Sequence, residues 1–210
     1  GLEGVDPKRI ALWGTSTSGG HVVKVGAEDA RIAAIVSQMP FASGFAQFRS
    51  MPITQSLRLV WAGLQDQIRA WVGASPRSVP AVGRPYSLAA TTTRDAVSGI
   101  CRITPADSTW RNRVLARFAL RTTLYRPGRS AKRLRCPLLV CIADADRVMP
   151  AKPALKMAKR AQHGTLRRYG FGHFGMYYGE GFATRSRSCA SSSQTRTEGV
   201  RDERARAGPR

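Results

Sequence analysis

Between Arg9 and Ser37 the chain passes from an apolar run through a small-residue turn and a short helical segment into a second apolar run. No other feature restricts its fold as much. Arg9-Ile10-Ala11-Leu12-Trp13 stops at Gly14, and His21-Val22-Val23-Lys24-Val25 resumes with helix-compatible residues beyond a stretch of small ones. Arg31-Ile32-Ala33-Ala34-Ile35-Val36-Ser37 is bounded by charge before it and by Pro40 after it, as a buried strand is. Two buried strands joined by one helix form a βαβ unit, and such a unit requires a parallel sheet. The expected class is α/β.

A third apolar run, Pro137 to Ala143, has a buried strand's composition, with Asp144 and Asp146 at its carboxyl end, where parallel sheets carry their ligands and catalysts. Pro153 opens a predicted helix, Leu166 to Tyr169 form a last strand, and Gly170-Phe171-Gly172-His173-Phe174 is a glycine-rich loop with a histidine at its tip. Between the second and third strands, Leu57, Val60, Trp61, Leu64, Ile68, Trp71 and Val72 recur at steps of three and four, predicting an amphipathic helix from Pro52 to Gly73. Residues 74–107 read as irregular or short helical structure. Asp107 or Ser108 caps a further helix carrying Trp110, Val114, Leu115, Phe118 and Leu124, which Pro127-Gly128 ends. The expected organisation is a core from 1–49 and 130–182, a helical insertion over 50–129, and an arginine- and serine-rich tail over 183–210. That tail holds too little apolar surface to offset its ordering entropy and is expected to be disordered.

The formal charge of +21 is spread along the chain, and neither a binding motif nor aromatic interleaving accompanies it, so nucleic acid is an unfavoured partner. Cys101, Cys136, Cys141 and Cys189 form no CxxC pair and have no histidine at zinc-ligand spacing, which points to free thiols and to no metal. No apolar run approaches the roughly 20 residues that cross a bilayer. With no signal-peptide pattern at the start either, the expected location is cytoplasmic, without a membrane partner.

Gly14-Thr15-Ser16-Thr17-Ser18-Gly19-Gly20 follows a strand and precedes a helix, the context a nucleophile elbow demands. Small neighbours are needed there because a sharp strand-to-helix turn strains the serine backbone and brings other backbone close. Ser16, between Gly14 and Ser18, is the better-placed nucleophile, and a shifted register would offer Ser18. A plain helix-capping or phosphate-binding turn has the same composition. A serine hydroxyl needs a histidine base and an acid that fixes the histidine tautomer. Of His21, His163 and His173, only His173 sits on a loop after a final strand; Asp144 and Asp146 are both candidate acids.

These segments together resemble the α/β-hydrolase superfamily, in particular bacterial esterase- and peptidase-like members with a helical insertion before the acid-bearing strand. The resemblance runs from about Val5 to Phe182 and rests on Arg9 to Ser16, Cys136 to Val140, Asp146 to Pro150 and Gly172-His173-Phe174. It implies that Ser16 is nucleophile, Asp146 acid and His173 base, with the Thr17 backbone N–H as one oxyanion donor. The order Ser, Asp, His is that family's. Members also carry strands and an oxyanion loop ahead of the elbow, so the resemblance implies the C-terminal part of such an enzyme, a partial α/β-hydrolase fold truncated at its N-terminal side.

The expected function is therefore acyl hydrolysis of a small ester-type substrate without cofactor or metal, with the insertion as a cap whose Trp61, Trp71 and Trp110 line an acyl pocket. The alternatives are a catalytically defective fragment and, less favoured, a basic nucleic-acid-binding protein. Oligomeric state is not readable from the sequence.

Overall fold

The computed structural model describes residues 6–180, Lys8 excepted, and Ala183. The expectation of a disordered tail over 183–210 thus lies, but for Ala183, outside the described residues. β1 (Ile10–Thr15), α1 (Thr17–Gly26) and β2 (Ile32–Gln38) form the βαβ unit, and β5 (Leu138–Ala143), α6 (Ala151–Arg160) and β6 (Gly164–Tyr169) extend it. The sheet order is β1-β2-β5-β6 and every pairing is parallel, with Thr15 opposite Gln38, Gln38 opposite Cys141, and Ala143 opposite Tyr169. The carboxyl ends of all four strands therefore lie along one rim.

β5 is the centre of the packing because both of its faces are covered, as the unbroken apolar run requires. Leu138, Val140 and Ile142 point to one side, against Val23 of α1 and Ala154, Met157 and Ala158 of α6. Leu139, Cys141 and Ala143 alternate to the other side with Met39, Tyr169 and Met176. A 3₁₀ segment, Pro127–Arg133, closes the first layer through Ala131, with Leu134 following it there.

Between β2 and β5 the chain inserts α2 (Gly44–Ser50), α3 (Ile53–Trp71), β3 (Ser78–Val79), α4 (Ala96–Ile103), β4 (Val114–Leu115) and α5 (Phe118–Leu124). Its own small core is Leu59, Ala62, Val79, Ala116 and Ala119. Two sequence expectations need correction here. Of the helix predicted from Asp107 or Ser108 to Leu124 only the last seven residues, Phe118–Leu124, are helical, because Val114–Leu115 pairs antiparallel with Ser78–Val79. Asn112 holds the preceding turn extended, its side chain accepting from Val82 N–H and donating to Val82 C=O. The second correction concerns orientation: α3 buries Gln55, Ser56, Leu59, Ala62, Gly63 and Asp66, and turns its apolar stripe outward.

Candidate active site

The turn between β1 and α1 puts Ser16 at φ 55° and ψ −119°, outside the regions L-residues favour. Backbone bonds on both sides hold it there, the Ser16 N–H donating to Gln38 C=O at 2.8 Å and the Phe41 N–H to Ser16 C=O at 2.8 Å. Gly14 makes the turn possible, since a Cβ there would run into the Ser18 carbonyl and the Val22 side chain. Ser18 serves the turn differently: its Oγ accepts the Thr15 N–H at 2.9 Å and donates to Thr15 C=O at 2.8 Å. Of the two serines, Ser16 thus has the strained backbone, while Ser18 is engaged in local hydrogen bonds. Thr17 opens α1, so its N–H belongs to the set that a helix start leaves without an intrahelical acceptor.

Asp146 and His173 meet at the same rim. Asp146 follows β5, its Oδ1 accepting the N–H groups of Val148 at 2.7 Å and Met149 at 2.8 Å. Its Oδ2 lies 2.8 Å from His173 Nδ1, and both side chains are 4 % exposed. A carboxylate only accepts, so Nδ1 carries a proton, and in the neutral ring that tautomer leaves Nε2 as the acceptor. Cross-loop bonds fix the two carriers: Asp144 N–H donates to Tyr169 C=O at 2.8 Å and Ala145 N–H to Phe171 C=O at 3.1 Å. Phe174 packs edge-on against the imidazole, with centroids 5.2 Å apart.

The elbow joins this pair through residues that sequence reasoning passed over. Thr15 Oγ1 and the Tyr177 hydroxyl are 2.8 Å apart, and the Tyr177 ring lies 6.1 Å from the His173 ring within the 3₁₀ turn Phe174–Tyr177. Gln47 of α2 donates to Val148 C=O at 2.7 Å and steadies the Asp146 loop from the insertion side. Neither contact has a signal in the sequence, because a threonine, tyrosine or glutamine partner is set by tertiary approach alone. Among the described residues Ser16 Oγ forms no hydrogen bond, with His173 or any other group, and it is half-buried.

The other candidates find separate roles. His21 Nδ1 bonds the Tyr125 hydroxyl at 2.9 Å. Asp144 faces outward in an ion pair with Arg168 at 2.8 Å. Trp61, Trp71 and Trp110, expected around an acyl pocket, are 63, 77 and 45 % exposed. Beside the Asp146 loop there is a cleft of about 250 Å³, bordered by Gln47, Met51, Tyr86, Thr93, Arg147 and Val148. No cluster of histidine, cysteine or carboxylate side chains among the described residues has the composition of a metal site. No described helix is long and apolar enough to cross a membrane.

Comparison with known proteins finds sequence relatives and, separately, solved structures of similar fold. No family model matches the chain. It is 39 % identical over 181 residues to the quorum-quenching protein AidA of Acinetobacter baumannii, covering 86 % of this chain and 60 % of that protein. An uncharacterised 31.7 kDa protein of Escherichia coli is 26 % identical over 180 residues, 80 % of this chain and 57 % of its own. The chain thus spans about 60 % of the length of these curated relatives. Among solved structures, DcsB in complex with a substrate analogue superposes with a TM-score of 0.73 at 18 % identity, over 90 % of this chain and 65 % of that one. The α/β hydrolase GrgF of a Penicillium species gives 0.64 at 16 % identity over 88 and 63 %. The monoacylglycerol lipase of Paleococcus ferrophilus gives 0.62 at 18 % over 88 and 67 %.

Proposed function

We propose that this chain, which has the α/β-hydrolase fold, belongs to an acyl hydrolase in which Ser16 is the nucleophile, His173 the base and Asp146 the acid. The observation that carries the reading is the buried Asp146–His173 hydrogen bond of 2.8 Å at the same sheet rim as the strained Ser16. Asp146 fixes the tautomer that leaves His173 Nε2 free to take a proton, and its negative charge stabilises the imidazolium that results. Ser16 Oγ attacks the substrate carbonyl as its proton passes to Nε2. The tetrahedral oxyanion forms beside the Thr17 N–H, whose partial positive charge at the start of α1 stabilises it. The imidazolium then protonates the leaving oxygen, the acyl group stays on Ser16, and water activated by His173 releases it as the carboxylic acid. The segment between β2 and β5 is read as a cap over the rim, with the cleft beside Val148 receiving part of the substrate. The fold neighbours include an α/β hydrolase and a monoacylglycerol lipase, and the Acinetobacter relative is named for quorum quenching. Small signalling molecules with an ester-type carbonyl are therefore the first substrates to assay.

The test is labelling by a fluorophosphonate, with p-nitrophenyl ester hydrolysis as a second readout. Label on Ser16, lost in Ser16→Ala and His173→Ala but kept in Ser18→Ala, is the expected result. Label on Ser18, or turnover that survives Ser16→Ala, would overturn the assignment.

A further inference from the structure

We propose that Tyr177 is a positioning residue for the base: its hydrogen bond to Thr15 sets the spacing between His173 and Ser16. The inference rests on the Ser16–His173–Asp146 reading and adds to it the contact that holds its two halves in register.

The sheet order makes such a contact necessary. In β1-β2-β5-β6 the elbow follows one end strand of the described sheet and the histidine loop follows the other. At roughly 4.8 Å per strand the two axes are about 14 Å apart, several times the reach of a hydrogen bond. The loop after β6 therefore has to travel back across the ends of β5 and β2. Asp146 does not set how far it travels. It follows β5, the neighbour of the strand that carries the histidine, and its carboxylate bonds go to Val148 N–H, Met149 N–H and His173 Nδ1. Those bonds orient the imidazole, and none of them reaches β1.

Tyr177 closes the distance. It ends the 3₁₀ turn Phe174–Tyr177 that starts directly after His173, so one turn of backbone links the two rings, whose centroids lie 6.1 Å apart. Its ring packs against the layer that holds Met39, Cys141 and Ala143, residues at the ends of β2 and β5. Its hydroxyl and Thr15 Oγ1 share a hydrogen bond of 2.8 Å, and Thr15 is the last residue of β1 and the neighbour of Ser16. Thr15 is itself fixed: Ser18 Oγ accepts its N–H at 2.9 Å and donates to its C=O at 2.8 Å, and it pairs with Gln38 across the sheet. The bond thus joins a rigid elbow to the loop that bears the base. Packing gives the Tyr177 ring a place in the layer, and the hydroxyl gives it one partner and one direction. Phenylalanine at this position would keep the first and lose the second.

The thiol of Ser16→Cys reads the spacing without ester turnover. A neighbouring imidazolium lowers a thiol pKa from about 8.5, and the start of α1 lowers it alike in every variant compared. The rate of iodoacetamide alkylation at position 16 is followed against pH by peptide mass spectrometry, which separates this thiol from the other cysteines. In the Ser16→Cys background, His173→Ala should raise the alkylation midpoint by about two pH units, the full effect of the base. Tyr177→Phe and Thr15→Val should each raise it by about one unit, and together by no more than either alone, because they break the same contact. Thr15→Ser, which keeps the hydroxyl, should leave it in place. The low-field proton resonance of His173 Nδ1 should persist in Tyr177→Phe and Thr15→Val, which separates a displaced base from an unfolded loop. A midpoint that His173→Ala or Tyr177→Phe leaves unmoved overturns the proposal, and so do additive shifts or loss of the low-field resonance. If fluorophosphonate fails to label Ser16, the hydrolase reading fails by itself, since the thiol midpoint still reports whether Tyr177 sets the spacing.

Discussion

Asp146 divides its two oxygens between two tasks, and the division sets what its replacement should do. Oδ1 holds the loop through Val148 and Met149, and Oδ2 holds His173. Asp146→Asn can keep the first by presenting its carbonyl oxygen to the two N–H groups. It then offers His173 an NH₂ donor, which demands a proton-free Nδ1 and puts the proton on Nε2, where the nucleophile's proton has to go. Ester turnover is therefore expected to fall about 10⁴-fold, the scale of the same tautomer change in a serine protease. The urea midpoint should move little. A loss of turnover matched by a comparable loss of stability would mean that Asp146 acts only as a loop anchor.

At the scale of elements, one carboxylate organises the insertion. Asp66 of α3 is fully buried, with Oδ1 accepting the Arg77 N–H at 2.7 Å beside β3 and Oδ2 accepting the Arg117 N–H at 3.0 Å ahead of α5. Arg117 adds an ion pair at 3.1 Å. Burial by itself pushes this carboxyl up, but the two N–H donors and the charges of Arg117 and Arg69 outweigh it and hold the pKa below the ordinary carboxylate value. A depressed folded-state pKa contributes stability that is complete above the unfolded value of about 3.9 and is lost as pH falls through the folded one. Asp66→Asn is thus expected to destabilise by about 3 kcal/mol near neutral pH, with a gap that narrows below pH ~4. Urea unfolding at both pH values checks it, and an equal gap at both would place the effect in packing instead of charge.

A second element-scale link runs from α4 to the histidine loop. Gly99 lies against the Phe174 ring so closely that a Cβ would overlap it, and Arg102 stacks over Tyr178 with 4.4 Å to the ring centroid. Gly99→Ala must displace Phe174, which is packed on His173, and so should lower kcat by ten-fold or more. Unchanged kcat would show that the ring yields without moving the imidazole. This contact also shows where sequence reading stops. The strands of the βαβ core, the elbow context around Ser16 and the loop position of His173 were legible because each is a local pattern of small, apolar or loop-forming residues. The facing of α3 was not, because periodicity reveals that a stripe exists and not which side the chain covers. Asp66 and Gln55 decide that side through backbone partners distant in sequence. The helix predicted from Ser108 failed for a related reason, since Asn112 and the β3–β4 pairing override the local preference of residues 108–117.

For the whole molecule, these links bear on whether the insertion and the sheet are one cooperative unit. Among the described residues they touch at separated places that include Gln47 on the Asp146 loop, Gly99 and Arg102 on the histidine loop, and the Tyr125 hydroxyl, 2.9 Å from His21 Nδ1 of α1. The insertion's own core, five small or medium side chains around Leu59, is too slight to hold alone a segment of that length. Loss of the sheet should therefore remove the insertion with it. The tryptophans make this measurable, since Trp13 reports from β1 while Trp61, Trp71 and Trp110 report from the insertion. In a Trp13→Phe variant, insertion fluorescence and the far-UV signal of all elements are expected to follow one urea transition with the same midpoint and slope. A fluorescence transition at lower urea than the far-UV one would make the insertion a separately melting cap. In that case Gly99→Ala and Asp66→Asn should shift the fluorescence midpoint alone.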